Sequence, residues 1–203
     1  EKYKLSKDEL DRFSLQSHQR AKAATLEGAF KAEIVPIAAR QAEGPELNEM
    51  HTADEGIRME ATYEGISGVK VLREGGFITA ASASQICDGA SGVMVVNEKG
   101  LKALGVKPLA RIHHMTVIGG DPVIMLEAPL PATHHALKKA GMKIDDIDLF
   151  EVNEAFASVP LAWLQNTHAD PARLNVNGGA ISLGHPLGAS GTKLMTTLVH
   201  ALH

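Results

Sequence analysis

The sequence has little cysteine, little net charge and no long apolar run. Its 203 residues include one cysteine, Cys87. A single cysteine excludes an internal disulfide framework and suits a reducing compartment. The net charge is −4, so no overall field draws the chain to nucleic acid or to an anionic membrane. No apolar run approaches the length of a membrane span, and the first residues do not read as a signal peptide. No Cys or His spacing matches zinc, so no metal is expected. The chain starts without methionine and ends in "TTLVHALH", which reads as helix interior without a cap. Both features are expected of an excerpt from something longer.

What is present is an ordinary globular composition, 44% hydrophobic and 22% charged. The length allows one large or two small domains. Ser6 and Glu9 fit a capping box ahead of an apolar or small stripe at Leu10, Phe13, Ala21 and Ala24. "FKAEIVPI" (Phe30 to Ile37) reads as a short strand limited by Pro36. From Ala38 to Thr62 the composition predicts a long loop.

From Phe77 onward the texture changes. Val93 to Val96 predicts a strand, followed by a helix. "PLARIHHMTVIG" (Pro108 to Gly119) predicts another strand, and "LPATHHALKKAG" (Leu130 to Gly141) a helix with proline near its start and glycine past its end. "DIDLFEV" (Asp146 to Val152) and "RLNVN" (Arg173 to Asn177) predict strands, each followed by a helix, from Asn153 and from His185. Strands alternating with helices predict an α/β layered fold, with a boundary near residue 86.

In open α/β sheets, functional groups gather where strands give way to helices. Two such junctions stand out. At Asn153 the amide is placed either to face a cleft or to cap the helix. Glu154 suits the first turn of a helix without any catalytic role. At the second junction, "NGGAISLGHPLGASG" (Asn177 to Gly191), His185 and Pro186 open the predicted helix. The positive end of a helix dipole favours neutral imidazole, which accepts a proton from a thiol or donates to an oxyanion. The alternative is a structural histidine among tight turns. A phosphate cradle fits less well, because the run has neither a P-loop lysine nor the G-x-G-x-x-G spacing.

Other candidates carry less. His113–His114 and His134–His135 are adjacent pairs, which do not share a face. Asp145, Asp146 and Asp148 read as a solvated turn. Ser190 is not in a nucleophile elbow, since residue 192 is threonine. Cys87 has no cation beside it in sequence and reads as structural.

"NEAFA" (Asn153 to Ala157), "NVNGGAISLGHPLGASG" (Asn175 to Gly191) and "SQICDGAS" (Ser84 to Ser91) together resemble the thiolase family of acyl-CoA acetyltransferases. The resemblance runs over the whole chain. It implies a thiolase-like layered α/β fold with a helical and irregular loop domain. Residues 1–86 would be the second part of that loop domain, with CoA contacts. Residues 87–107 would be the last strand and helix of the N-terminal thiolase domain. Residues 108–203 would be the C-terminal domain, cut before its last strands.

The resemblance also implies CoA-dependent cleavage of a 3-ketoacyl-CoA, or the reverse condensation, as part of lipid metabolism such as β-oxidation. His185 matches the activating histidine, and Asn153 the asparagine that completes an oxyanion hole through water. Ala155 and Phe156 would border the acyl pocket. Arg58 matches an arginine near the adenine of CoA, and Ser84 a serine at its pantetheine. Coenzyme A would be a co-substrate, with no covalently bound cofactor. Acyl-CoA and CoA are the expected partners, together with copies of the chain in a homodimer or homotetramer. The expected location is bacterial cytoplasm, or mitochondria or peroxisomes in a eukaryote.

Two departures qualify this. The family's two catalytic cysteines fall outside these residues, and Cys87 matches neither, so the excerpt alone is expected to be inactive. "SASQICDGA" also differs from the commoner "NASGxNDGA", with Ser82 and Gln85 in place of Asn and Gly. "IMLEAPLPAT" (Ile124 to Thr133) likewise lacks the glycines usual after the methionine, and both changes resemble the degradative, bulky-substrate thiolases more than the short-chain biosynthetic ones. A ketoacyl synthase usually has histidine at the Asn153 position, and a noncatalytic acyl-CoA or lipid-binding relative would keep Arg58 and Ser84.

Overall fold

The computed structural model describes residues 2–40 and 43–203. Its longest element, α1 (Lys7–Glu27), begins at the predicted capping box and ends on Gly28, whose φ of 76° is the left-handed region that glycine tolerates. One face of α1 is buried: Leu10, Phe13, Ser14, Ser17, His18, Ala21 and Ala24. This is helical spacing, and it carries two clusters. Leu10 and Phe13 join Leu130, Val152, Val159, Trp163, Leu174 and Ile181. Ala21 and Ala24 join Phe30, Ile57 and Leu183.

The predicted strand at Phe30 to Ile37 is instead a run of turns from Gly28 to Glu33, leading into β1 (Ile37–Arg40). The predicted loop contains β2 (Glu46–His51), antiparallel to β1, so the segment is a hairpin. Its polar composition hid it, because cross-strand pairing rather than an apolar face holds the ladder. Gln41 and Ala42, part of that predicted loop, lie outside the described residues.

The short helix α2 (Tyr63–Ser67) packs on α1, and α3 (Glu98–Leu104) is capped by the Asn97 side chain. The helix α4 (Pro129–Ala140) has the predicted proline start and ends on Gly141, with φ 69°. It packs on α5 (Ser158–Thr167), where Trp163 donates to Thr133 at 2.9 Å and tilts against Phe150 with ring centroids 5.0 Å apart. The chain closes with α6 (Ala180–Leu183) and α7 (Ser190–Ala201).

The predicted strands at Val93 to Val96 and Pro108 to Gly119 have no strand hydrogen bonding among the described residues. Both runs are largely uncovered: Met94 and Val95 are exposed in the first, and Leu109, Met115 and Val117 in the second. A strand needs a partner to pair its backbone, and among the described residues these segments form no such pairing. The other two predicted strands meet only in a parallel bridge, Phe150 with Leu174. Here the Asn175 side chain replaces the ladder. It accepts from Val152 N–H and donates to Val152 C=O, both at 2.9 Å.

Candidate active site

Three segments converge on one place. Residues 82–85 lie between residues 153–157 on one side and residues 180–185 on the other. Ser84 N–H donates to Ala155 C=O at 3.0 Å, Ala157 N–H donates to Ser82 C=O at 2.9 Å, and Ala83 bridges Phe156. On the opposite side, Gln85 N–H donates to Ala180 C=O at 3.4 Å, and Gln85 C=O accepts from His185 N–H at 3.0 Å. Ser84, Ala155, Phe156 and His185 are thereby brought together by backbone pairing.

Asn153 does not cap α5. That helix starts at Ser158 with Ala157 in the cap position. Asn153 lies free of the helix, and its amide Nδ2 is 3.3 Å from His185 Nε2. His185 likewise precedes its helix rather than opening it, because α7 starts at Ser190. The contact with α7 is made by a side chain instead of a dipole. Ser190 Oγ lies 2.5 Å from His185 Nδ1 and donates to Pro186 C=O at 3.2 Å.

One tautomer of the imidazole satisfies every contact of this network. The Ser190 hydroxyl directs its proton to Pro186 C=O, so it accepts from Nδ1–H of His185. Nε2 is then unprotonated and accepts from the Asn153 amide. Such an arrangement is able to act as a base oriented by a third group. Sequence reasoning weighed Ser190 only as a nucleophile and missed this part. Its spacing from His185, at the start of the helix that follows, was the available signal.

Glu154 also departs from expectation. It precedes α5, and its side chain is buried instead of decorating a first turn. Its carboxylate accepts from Ser17 Oγ at 2.7 Å, Asn175 Nδ2 at 2.9 Å and Ile181 N–H at 3.2 Å. Burial raises its pKa despite these donors. Glu154 thus ties α1, the Asn175 turn and α6 to the segment carrying Asn153. The glycines of the second junction serve this packing. A side chain at Gly179 would overlap the Glu154 carboxyl group, and one at Gly184, with φ 80°, would overlap Cys87 Sγ. Cys87 itself is exposed.

Close to Asn153 in the chain is Glu151, which lines a small cavity with Asn153, Gly179, Ser190 and Lys193. Glu151 Oε1 is buried without a hydrogen-bond partner among the described residues. Burial first, then Glu154 and Glu33, push its pKa up to about 8.

Arg58 stands apart from this cluster and is exposed. Its backbone N–H donates to His18 Nδ1 at 3.1 Å. Burial, followed by the Arg58 charge, holds His18 down at about 4, so it stays a neutral acceptor.

Comparison with known proteins agrees over the whole chain. The family "Thiolase, N-terminal domain" matches residues 1–99, and "Thiolase, C-terminal domain" matches residues 106–203. A steroid 3-ketoacyl-CoA thiolase of Mycobacterium tuberculosis is 51% identical over 100% of this chain and 48% of its own length. A 3-ketoacyl-CoA thiolase of Cronobacter sakazakii is 44% identical over 98% of this chain and 52% of its own length. The human mitochondrial 3-ketoacyl-CoA thiolase in complex with CoA superposes with a TM-score of 0.88 at 42% identity, over 99% of this chain and 49% of that one. The Bacillus anthracis acetyl-CoA acetyltransferase gives 0.90 at 36% identity, over 99% of this chain and 50% of its own. The chain therefore spans about half the length of these relatives. Its backbone follows the layered α/β path of theirs, even where strand hydrogen bonds are missing.

Proposed function

The chain belongs to the thiolase family, and from that premise we propose that its parent protein cleaves a 3-ketoacyl-CoA with CoA, releasing acetyl-CoA and a shortened acyl-CoA. The observation that carries this reading is the Asn153–His185 pair, with the imidazole oriented by Ser190.

In the proposed reaction His185 Nε2 takes the proton of a cysteine thiol supplied by the rest of the parent. The thiolate attacks the 3-keto carbon, and the bond between C2 and C3 breaks. The electron pair leaves on the acetyl-CoA fragment as an enolate, which a proton then quenches. CoA sulfur attacks the acyl-enzyme thioester and releases the shortened acyl-CoA with the enzyme thiol regenerated. Once protonated, His185 Nε2–H and the Asn153 amide are two donors 3.3 Å apart, close enough to serve one developing oxyanion directly or through water. Ser84, Ala155 and Phe156 form the neighbouring wall for the pantetheine and acyl groups. Exposed Arg58 offers a charge to the adenine or phosphate end of CoA. The same residues serve the reverse condensation.

Residues 1–86, 87–107 and 108–203 would be the loop domain, the end of the N-terminal domain and the C-terminal domain. The apolar segments around Met94 and Val117 would pack against the rest of the parent, and association into homodimers or tetramers would bury more. The name of the relative in Mycobacterium tuberculosis, a steroid 3-ketoacyl-CoA thiolase, supports a bulky substrate for the parent.

The test is CoA-dependent loss of a 3-ketoacyl-CoA by the full-length parent. Turnover is expected, with none from a purified polypeptide of these 203 residues. A parent without turnover, or an active 203-residue polypeptide, contradicts the reading.

A further inference from the structure

Gln85 makes two kinds of contact that point in different directions. Its backbone holds the catalytic turn: N–H to Ala180 C=O and C=O from His185 N–H. Its side chain reaches elsewhere. Nε2 donates to Gly56 C=O at 2.7 Å and to Ile181 C=O at 2.8 Å, with Ser182 C=O at 3.5 Å.

Gly56, Ile57 and Arg58 form a short strap, and each residue of it is fixed by something different. Gly56 is held by the Gln85 amide, so closely that a side chain there would come within 2.8 Å of Gln85 Oε1. Ile57 is buried in the cluster of Ala21, Ala24, Phe30 and Leu183. Arg58 N–H is held by neutral His18. The Gln85 side chain is therefore a direct hydrogen-bonded link between the strap and the carbonyls of α6, beside the turn that carries His185.

We infer that Gln85 is a positioning residue for CoA: its side chain sets the register between the Arg58 strap and the His185 turn, and its backbone independently sets His185. This rests on the function proposed above and deepens it. The consequence is selective. Removing the side-chain amide takes away the Gly56 anchor of the strap, leaving those at Ile57 and Arg58 N–H, while both backbone bonds to the catalytic turn persist. The loss falls on a thiol long enough to reach Arg58. Pantetheine, which has the same thiol arm as CoA without the adenosine diphosphate end, does not feel it.

The experiment uses the full-length parent with Gln85→Met, which keeps the length of the side chain and removes the donor. Cleavage of one 3-ketoacyl-CoA, kept saturating because it carries the same adenosine diphosphate end, is followed with CoA or pantetheine as the varied attacking thiol. KM for CoA rises about tenfold, the size of one net hydrogen-bond contribution, with kcat within about twofold of wild type. Pantetheine kinetics stay within about twofold, and Arg58→Ala combined with Gln85→Met is no worse on CoA than the worse single variant. Should Gln85→Met fail to fold, Gln85→Gly, the residue of the commoner motif, gives the same comparison. Equal losses on CoA and pantetheine, or no change on CoA, overturn the inference and leave the proposed function intact. A wild-type parent with no cleavage overturns both.

Discussion

Asn153 Nδ2 and His185 Nε2 lie 3.3 Å apart although 32 residues separate them in sequence. Neither residue is in a helix, and each is fixed by neighbours. The Glu154 clamp fixes the segment of Asn153. Gln85 C=O and Ser190 fix His185. These supports can be removed one at a time without touching the pair itself.

Ser190→Ala removes the acceptor for His185 Nδ1–H. The imidazole then loses its preferred tautomer and some of its orientation. In the full-length parent kcat/KM is expected to fall by about 100-fold or less, the scale of a small misplacement of a catalytic group. Ser190→Thr, which keeps the hydroxyl, restores most of the rate. A rate identical to wild type in Ser190→Ala would remove Ser190 from the account.

Glu154→Ala leaves the Asn175 amide, the Ser17 hydroxyl and the Ile181 N–H without their common acceptor in a buried place. At about 1–3 kcal/mol for an unsatisfied buried group, the loss should reach at least about 3 kcal/mol. Urea denaturation of the parent measures it. A change below about 1 kcal/mol would mean that the three donors find water or one another.

Stability should fall at both ends of the pH range for opposite reasons. His18 titrates at about 4 in the folded chain against its ordinary 6.5. Below 6.5 the unfolded chain takes up a proton that the folded chain refuses, so stability falls from 6.5 down to about 4 and then levels. Glu151 is raised from 4.5 to about 8. Its contribution is fully present below 4.5 and is lost as pH rises through about 8. Thermal melts of the parent across this range check both limbs. His18→Gln flattens the acid limb, and Glu151→Gln flattens the alkaline limb. Unaltered limbs in the two variants would contradict the assignment.

Local signals were legible wherever the local chemistry was complete. Ser6 with Glu9 sets the start of α1 and Gly141 the stop of α4 by contacts within the helix itself, and Pro131 lies in the first turn of α4. The two junctions were legible because each lies where a strand pattern gives way to a helix pattern. What was not legible depends on distant partners. The helices α5 and α7 start later than their sequence pattern suggests, because Glu154 is drawn into the core by Ser17 and Asn175, and the turn at Gly184 and His185 wraps against Cys87 and Gln85. The strand patterns at Val93 to Val96 and Pro108 to Gly119 are apolar enough for a sheet, yet a strand forms only when another strand pairs with it. The polar hairpin of β1 and β2 has the reverse character: pairing without an apolar pattern. Gln85 departs from the commoner motif in the sequence itself, but the segments it joins meet only in the folded chain.

The central claim is that Asn153 and His185 act as one unit on the same reacting group. A double-mutant cycle in the full-length parent, with kcat/KM for CoA-dependent cleavage of a 3-ketoacyl-CoA as readout, tests it most directly. Asn153→Ala and His185→Ala are each expected to lower kcat/KM by at least about 100-fold, and the double variant to be no worse than His185→Ala within about threefold. Losses that multiply in the double variant, or unchanged turnover in His185→Ala, would contradict it.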